Sequence, residues 1–171
     1  MTQSSSFRAG VETSEPDALQ MLTFQLGSGA FAVDVRQVRE VLDHKLIQPV
    51  AGAPAALLGM IDVRGVGVPV MDLKRKLSLP PEESRAVGPD TRIIVLEFEA
   101  ADGDRTLAVI ADAVHEVADL AEQSLEAPPT IGERWNSGFM QGIGRRGEDF
   151  LTLLTVERLF DEAATATPRA A

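Results

Sequence analysis

The apolar residues of this chain arrive in short runs, and Gly, Pro or Asp cuts each run off before it can make a long helix. That punctuation restricts the chain to short strands joined by tight turns. Met21 to Leu26 and Ala30 to Val35 flank Gly27-Ser28-Gly29, and glycines in so short a connection predict a hairpin with a three-residue loop. Val35, Val38, Val41 and Leu42 then recur at helical spacing, predicting a short helical turn, and Ile47 to Val50 reads as a further strand. A second hairpin is expected from Met60-Ile61-Asp62-Val63 and Val66 to Met71 around Arg64-Gly65. Pro69 marks its second strand as an edge or the site of a bulge. Asp72 reads as the N-cap of one or two helical turns to Leu77. Leu79 to Asp90 carries Pro80-Pro81 and Gly88-Pro89 and reads as a connector. Arg92 to Glu99 and Thr106 to Ala111 flank an Asp-Gly turn. Gln141 to Arg145 and Phe150 to Thr155 form a last hairpin, and Val156 to Glu162 a closing amphipathic helix.

Composition narrows function by exclusion. Sixteen Lys and Arg against 26 Asp and Glu leave a formal net charge of −10, a field that repels phosphate backbones and anionic membranes. The densest basic stretch is only Lys74-Arg75-Lys76. There is no Cys, so disulfides, thiolate metal sites and cysteine nucleophiles are ruled out, and two histidines, His44 and His115, cannot make a three-histidine metal site. The first twenty residues hold no apolar stretch of the signal-peptide kind, and no run approaches the roughly 18 residues of a membrane span. A cytoplasmic protein is expected, with disordered tails at 1–19 and 163–171 around a domain at 20–162.

The pattern also repeats. Ala30 to Val41 laid over Thr106 to Val117 matches at Ala32/Ala108, Val33/Val109, Val38/Val114, Glu40/Glu116 and Val41/Val117. Each copy follows a hairpin and precedes an Arg-Gly turn, Arg64-Gly65 or Arg146-Gly147. A mainly β architecture of two similar small barrels follows, the first mainly 30–90, the second mainly 91–150, with their ends intertwined.

Motifs of catalysis are weak by comparison. Asp62, Asp72 and Asp112 fall near strand ends, where carboxylates usually cap or face solvent. Gly142-Ile143-Gly144-Arg145-Arg146-Gly147 matches a dinucleotide-loop pattern in letters only, because a turn and a strand follow it instead of a helix. Its two glycines read as a bulge or a close backbone approach. Asp112, His115 and Glu116 could furnish ligands for a small β-barrel ligand or metal binder. The alternative is a surface histidine beside acids, on which replacing Asp112 and His115 by Ala leaves function intact. No cofactor or metal is expected.

One stretch carries more. Gly59-Met60-Ile61-Asp62-Val63-Arg64-Gly65-Val66-Gly67-Val68-Pro69-Val70-Met71-Asp72-Leu73 resembles the signature of the chemotaxis coupling proteins, the CheW family. Phe24, then Phe31 to Val35, then Val38 to Val41 resembles that family's opening, and Ala108 to Val117 its second-half segment. The likeness runs from about Leu19 to Asp161. Asp62, Gly67, Ala111 and Ala113 depart from it, which leaves the fold intact and alters the partner surfaces.

The resemblance implies two intertwined, SH3-like barrels of five strands each, with short helices and a C-terminal helix. It implies a non-enzymatic adaptor between methyl-accepting chemoreceptors and the histidine kinase CheA, whose regulatory domain shares the fold. It further implies a monomer in isolation that alternates with that domain in rings, recruited to membrane-associated receptor arrays. In such assemblies the receptor tip docks in the apolar groove between barrels. By position, Val38, Val41, Ala108, Val114 and Val117 line that groove, Glu40 and Arg64 make polar partner contacts, and Gly59 and Gly65 are structural. Valines at those spacings are core residues when read without the resemblance. An adaptor of the same fold could equally serve a parallel chemosensory-like pathway governing motility appendages or gene expression.

Overall fold

The computed structural model describes residues 18–77, 79, 87–100, 103–121, 125–126 and 140–158. Among these residues, ten strands form two five-stranded antiparallel-dominated sheets. The strands are β1 (Ala18–Leu26), β2 (Gly29–Asp34), β3 (Val38–Asp43), β4 (Leu57–Val63), β5 (Val66–Met71), β6 (Arg92–Ala100), β7 (Gly103–Ala111), β8 (Ala113–Ala121), β9 (Met140–Arg146) and β10 (Asp149–Leu154). A 3-10 turn (Val35–Gln37) and one short helix, α1 (Leu73–Lys76), complete the described elements. Asp72 caps α1 by accepting from the amides of Lys74 and Arg75, as the sequence predicts. Residues 156–158 begin a helix, and the rest of the expected closing helix lies outside the described residues, as do the expected tails apart from Ala18 and Leu19, which open β1 instead.

The turn chemistry sets the hairpins. Val63 pairs with Val66, so Arg64-Gly65 is the whole loop of β4–β5. Leu26 pairs with Gly29, which makes the first loop two residues, Gly27-Ser28, instead of the expected three. Pro69 does not sit on a sheet edge, since β5 lies between β4 and β7. The parallel β5–β7 ladder is confined to Val70 and Met71, just beyond the proline that cannot donate to it. Of Ile47 to Val50 only Gln48 enters the sheet, as an isolated bridge to Met60.

The strands divide between barrels differently from the expectation. One sheet, in the order β3-β6-β7-β5-β4, uses residues 38–111 without a break. The other, β8-β1-β2-β10-β9, is assembled from both ends of the chain. The boundary falls at the two crossovers, 34–38 and 111–113, and not at residue 90. Its physical reason is the hairpin β6–β7: Arg92 to Ala100 pairs along its whole length with Gly103 to Ala111, so neither strand can go to a different sheet. The two orders match position for position, β3 with β8, β6 with β1, β7 with β2, β5 with β10 and β4 with β9. The sequence repeat is the crossover itself, β2 into β3 in one copy and β7 into β8 in the other.

Each barrel is filled separately and the two share a third core. Ile61, Val68, Val70, Ile93, Val95 and Ala108 fill the contiguous barrel. Met21, Ala32, Leu120, Leu151 and Leu153 fill the composite one. Between them lies the largest cluster, with Leu22, Phe24, Leu26, Phe31 and Val33 on one side and Ile94, Leu96, Phe98, Leu107 and Val109 on the other. Burial on that scale is what fixes the barrels against each other. No helix among the described residues is long and apolar enough to cross a membrane.

Candidate functional site

The four valines assigned to the groove, Val38, Val41, Val114 and Val117, lie on the two edge strands β3 and β8, and both strands are bulged. In β3, Val38 faces Leu96 and Val41 faces Ile94, so three residues of β3 span two of β6. In β8, Val114 faces Phe24 and Val117 faces Leu22, with the same offset against β1. Each extra residue returns the second valine to the side of the first, where an unbulged strand would have put it on the opposite face. Their partners Leu96, Ile94, Phe24 and Leu22 all belong to the shared core, so all four valines point to the inter-barrel face. The spacing of three that reads as a helical turn is therefore a strand with a bulge, and only Val35–Gln37 is helical.

Within each pair the roles differ. Val38 and Val114 are packed against the shared core. Val41 is 39% and Val117 47% exposed, leaving one uncovered apolar side chain at the rim on each edge. Ala108 is not at the rim. It is fully buried inside the contiguous barrel, between Val70 and Val95, because β7 is that sheet's central strand. It cannot line a groove.

Glu40 and Arg64 meet. The Arg64 Nη1 donates to Glu40 Oε2 at 2.7 Å, with the guanidinium largely in solvent and the carboxylate mostly covered. Arg64 and Gly65 have φ +53° and +85°, the pair of positive angles that a two-residue type I′ loop requires. Asp62 Oδ1 holds the loop by accepting from the Gly65 amide at 2.8 Å. Arg39, Val63, Val66, Val68, Val95 and Thr106 complete a recess of about 250 Å³ around the pair. Gly59 serves barrel closure, not a turn. Its φ is +151°, and a Cβ there would collide with the Gln48 carbonyl that bridges to Met60. Gly142 takes the same place in the other barrel, where Glu126 bridges to Ile143 and its carbonyl oxygen would lie 3.3 Å from an added Cβ. That is the close backbone approach expected there, at Gly142; a Cβ added at Gly144 would meet the side chains of Leu120, Leu125 and Leu153 instead.

The candidate ligands Asp112, His115 and Glu116 do not form a site. Asp112 is spent on the fold: Oδ2 accepts from the Gly27 amide at 2.7 Å and Oδ1 from Lys74 Nζ at 3.0 Å, in a pair that is mostly buried. It ties the β7–β8 crossover to the β1–β2 turn and to α1. An Ala there would remove both contacts, so the substitution is expected to act on the fold and not to be silent. His115 is exposed. Among the described residues no three His, Cys, Asp or Glu side chains are grouped to hold a metal ion. Asp34, at the other crossover, caps the 3-10 turn and receives Arg36 Nη2 at 2.7 Å. The Arg36 hydrogen bond holds its carboxyl below the usual carboxylate range.

Two barrels with a shared core, bulged edges that leave one apolar side chain bare on each, and carboxylates engaged in turns and caps define a protein-binding module. The CheW-like domain profile matches residues 20–164, most of the chain, and the protein belongs to that family of chemotaxis coupling adaptors. It is 26% identical over 147 residues to the chemotaxis protein CheW of Klebsiella aerogenes, covering 86% of this chain and 84% of the relative. Protein FrzA of Myxococcus xanthus is 29% identical over 147 residues, covering 84% and 86%. Among solved structures, the scaffolding protein TtCheW of Thermoanaerobacter tengcongensis superposes with a TM-score of 0.71 at 28% identity, covering 84% of this chain and 92% of that one.

Proposed function

We propose that this adaptor joins the cytoplasmic tip of methyl-accepting chemoreceptors to the regulatory domain of the histidine kinase CheA, without catalysing a reaction itself. On this reading the receptor's helical tip packs on the rim formed by Val41 and Val117, with Val38 and Val114 as its floor. The Glu40–Arg64 pair supplies polar contacts to a partner, the isolated chain is a monomer, and it joins rings at cytoplasmic receptor arrays.

The observation that supports it most is the matched pair of bulges. A bulge displaces a residue from the ladder, and here two of them turn an apolar side chain toward the same inter-barrel face and leave it partly open to solvent. The experiment is kinase activation in reconstituted receptor–adaptor–kinase complexes, titrating the adaptor. Val41→Asp and Val117→Asp are expected to fold, because both positions are open to solvent. They are expected to lose receptor recruitment by about tenfold or more, since docking would bury a charge without a partner. Normal activation by both folded variants at limiting adaptor would remove the rim from the site. The similarity to FrzA favours a second reading, the same surfaces serving a parallel pathway. Identifying the kinase that co-purifies with the chain separates the two.

A further inference from the structure

We propose that Asp62 is the positioning residue for Arg64: its carboxylate holds the Arg64–Gly65 peptide so that Arg64 keeps the left-handed backbone from which its guanidinium reaches Glu40. Among the described residues Arg64 is the one non-glycine with a positive φ, +53°. A conformation of that kind persists where its surroundings hold it, and its presence is a lead to function. Two other loops of the same length avoid it. Gly27-Ser28 and Gly147-Glu148 put glycine first, at φ +59° and +64°, and their second residues have no positive φ. That is the type II′ pattern, whose first place belongs to glycine. With arginine in first place and Gly65 at φ +85°, the β4–β5 loop takes the type I′ form instead.

The two turn types differ in which way the peptide joining the loop residues faces. The Gly65 amide belongs to that peptide, and it donates to Asp62 Oδ1 at 2.8 Å. An ionised carboxylate only accepts, so it favours the orientation that brings it the N–H over the flipped one that brings it the Arg64 carbonyl. Asp62 is itself tied down, since its carbonyl oxygen accepts from Lys45 Nζ at 2.7 Å. The competing arrangement of the same residues is a three-residue loop, Val63-Arg64-Gly65, in which a type I turn leads into a left-handed glycine. There Arg64 is right-handed and free of the crowding between Cβ and carbonyl oxygen that the left-handed form carries. Its side chain then leaves the loop in another direction, and the 2.7 Å contact with Glu40 is lost. Asp62 tips the balance toward the loop that presents Arg64.

The proposal rests on the reading above for the use of Arg64 by a partner, and its first measurement involves no partner. Asp62→Asn keeps the acceptor without the charge, whereas Asp62→Ala and Asp62→Val remove both. All three are expected to fold, because Asp62 is exposed. Asp62→Val also restores strand propensity, and it carries the test where Asp62→Ala does not fold. The Arg64 Cα and Cβ chemical shifts and residual dipolar couplings, measured in the full chain, report its backbone. The left-handed state is expected in wild type and Asp62→Asn, and its loss in Asp62→Ala and Asp62→Val. In the reconstituted kinase assay those two variants should need about fivefold more adaptor for half-activation, with Asp62→Asn close to wild type. A left-handed Arg64 in Asp62→Ala or Asp62→Val overturns the proposal whatever the assay reads. Loss of that state in Asp62→Asn as well means that charge, not the amide contact, holds the loop, and the proposal fails. Normal activation by Asp62→Ala with a right-handed Arg64 upholds the hold of Asp62 and removes Arg64 from the partner surface instead.

Discussion

Arg64 holds a backbone angle that the other barrel gives to glycine. At φ +53° it starts the β4–β5 loop, and the matching place in β9–β10 is Gly147 at φ +64°. A left-handed conformation costs a residue with a Cβ about 1–2 kcal/mol relative to the right-handed one. The side chain held at that cost reaches Glu40 while remaining mostly in solvent, where ion pairs contribute little stability. Arg64→Gly is therefore expected to unfold in urea within about 1 kcal/mol of wild type, while losing activity in the reconstituted kinase assay. A drop of several kcal/mol would mean that the Glu40 contact is structural. Among the valines, Val38 contrasts with Val41. Val38 packs against the shared core, so Val38→Asp is expected to unfold the chain or cost several kcal/mol. Circular dichroism on Val38→Asp and Val41→Asp side by side checks the contrast.

At the scale of elements, the crossovers are where sequence reading succeeded and failed. The Arg64-Gly65 hairpin, the Asp72 cap and the repeat itself were legible, because turn and cap chemistry is local. The bulged strands β3 and β8 were not, since a bulge gives strand residues a spacing of three that belongs to helices. The repeated Arg-Gly also misled. Arg64 is in its loop, whereas Arg146 is the last residue of β9 and Gly147-Glu148 forms the turn. Asp112 looked like a possible ligand, and its sequence position gives no sign of Lys74 or Gly27. Removing one member of a mostly buried ion pair commonly costs about 3–5 kcal/mol, so Asp112→Ala is expected to lower the unfolding midpoint strongly. His115→Ala should leave it unchanged, and differential scanning calorimetry of the two single variants tests this. At the other crossover, Asp34 is held ionised by Arg36 below its unfolded pKa. A depressed carboxylate adds stability above its unfolded pKa and loses it as the pH falls through the folded one. The small deficit of Arg36→Ala at neutral pH should thus close in acid and shrink in high salt, as melting curves at several pH values would show.

The whole molecule depends on the core that neither barrel owns. The resemblance gave the two-barrel fold, yet the assignment of strands to barrels escaped it. The parallel pairs β2–β10 and β5–β7 join segments far apart in sequence, and no local pattern encodes them. The resemblance put Ala108 among the lining residues, whereas this non-local pairing places it on the central strand of a sheet. Although residues 38–111 contain one complete sheet, that sheet turns Ile94, Leu96, Phe98, Leu107 and Val109 toward its neighbour. Expressed alone, the segment is expected to self-associate instead of giving a folded monomer. Sedimentation with hydrogen exchange is the check, and a protected monomer would show that the shared core is dispensable.

One barrel lying wholly inside the sequence of the other imposes an order on synthesis. When β2 leaves the ribosome its parallel neighbour β10 is still to come. The wait is roughly 115 residues, or about 6–23 s at the usual pace of translation. During that interval the inserted segment can complete its own sheet, while β1 and β2 stand as a lone hairpin, too small to be stable in water. Its apolar side, Phe24, Leu26, Phe31 and Val33, then has one surface ready to cover it, the finished face of the inserted barrel. The first hairpin made is thus sheltered by the second structure formed, and the last hairpin closes over both.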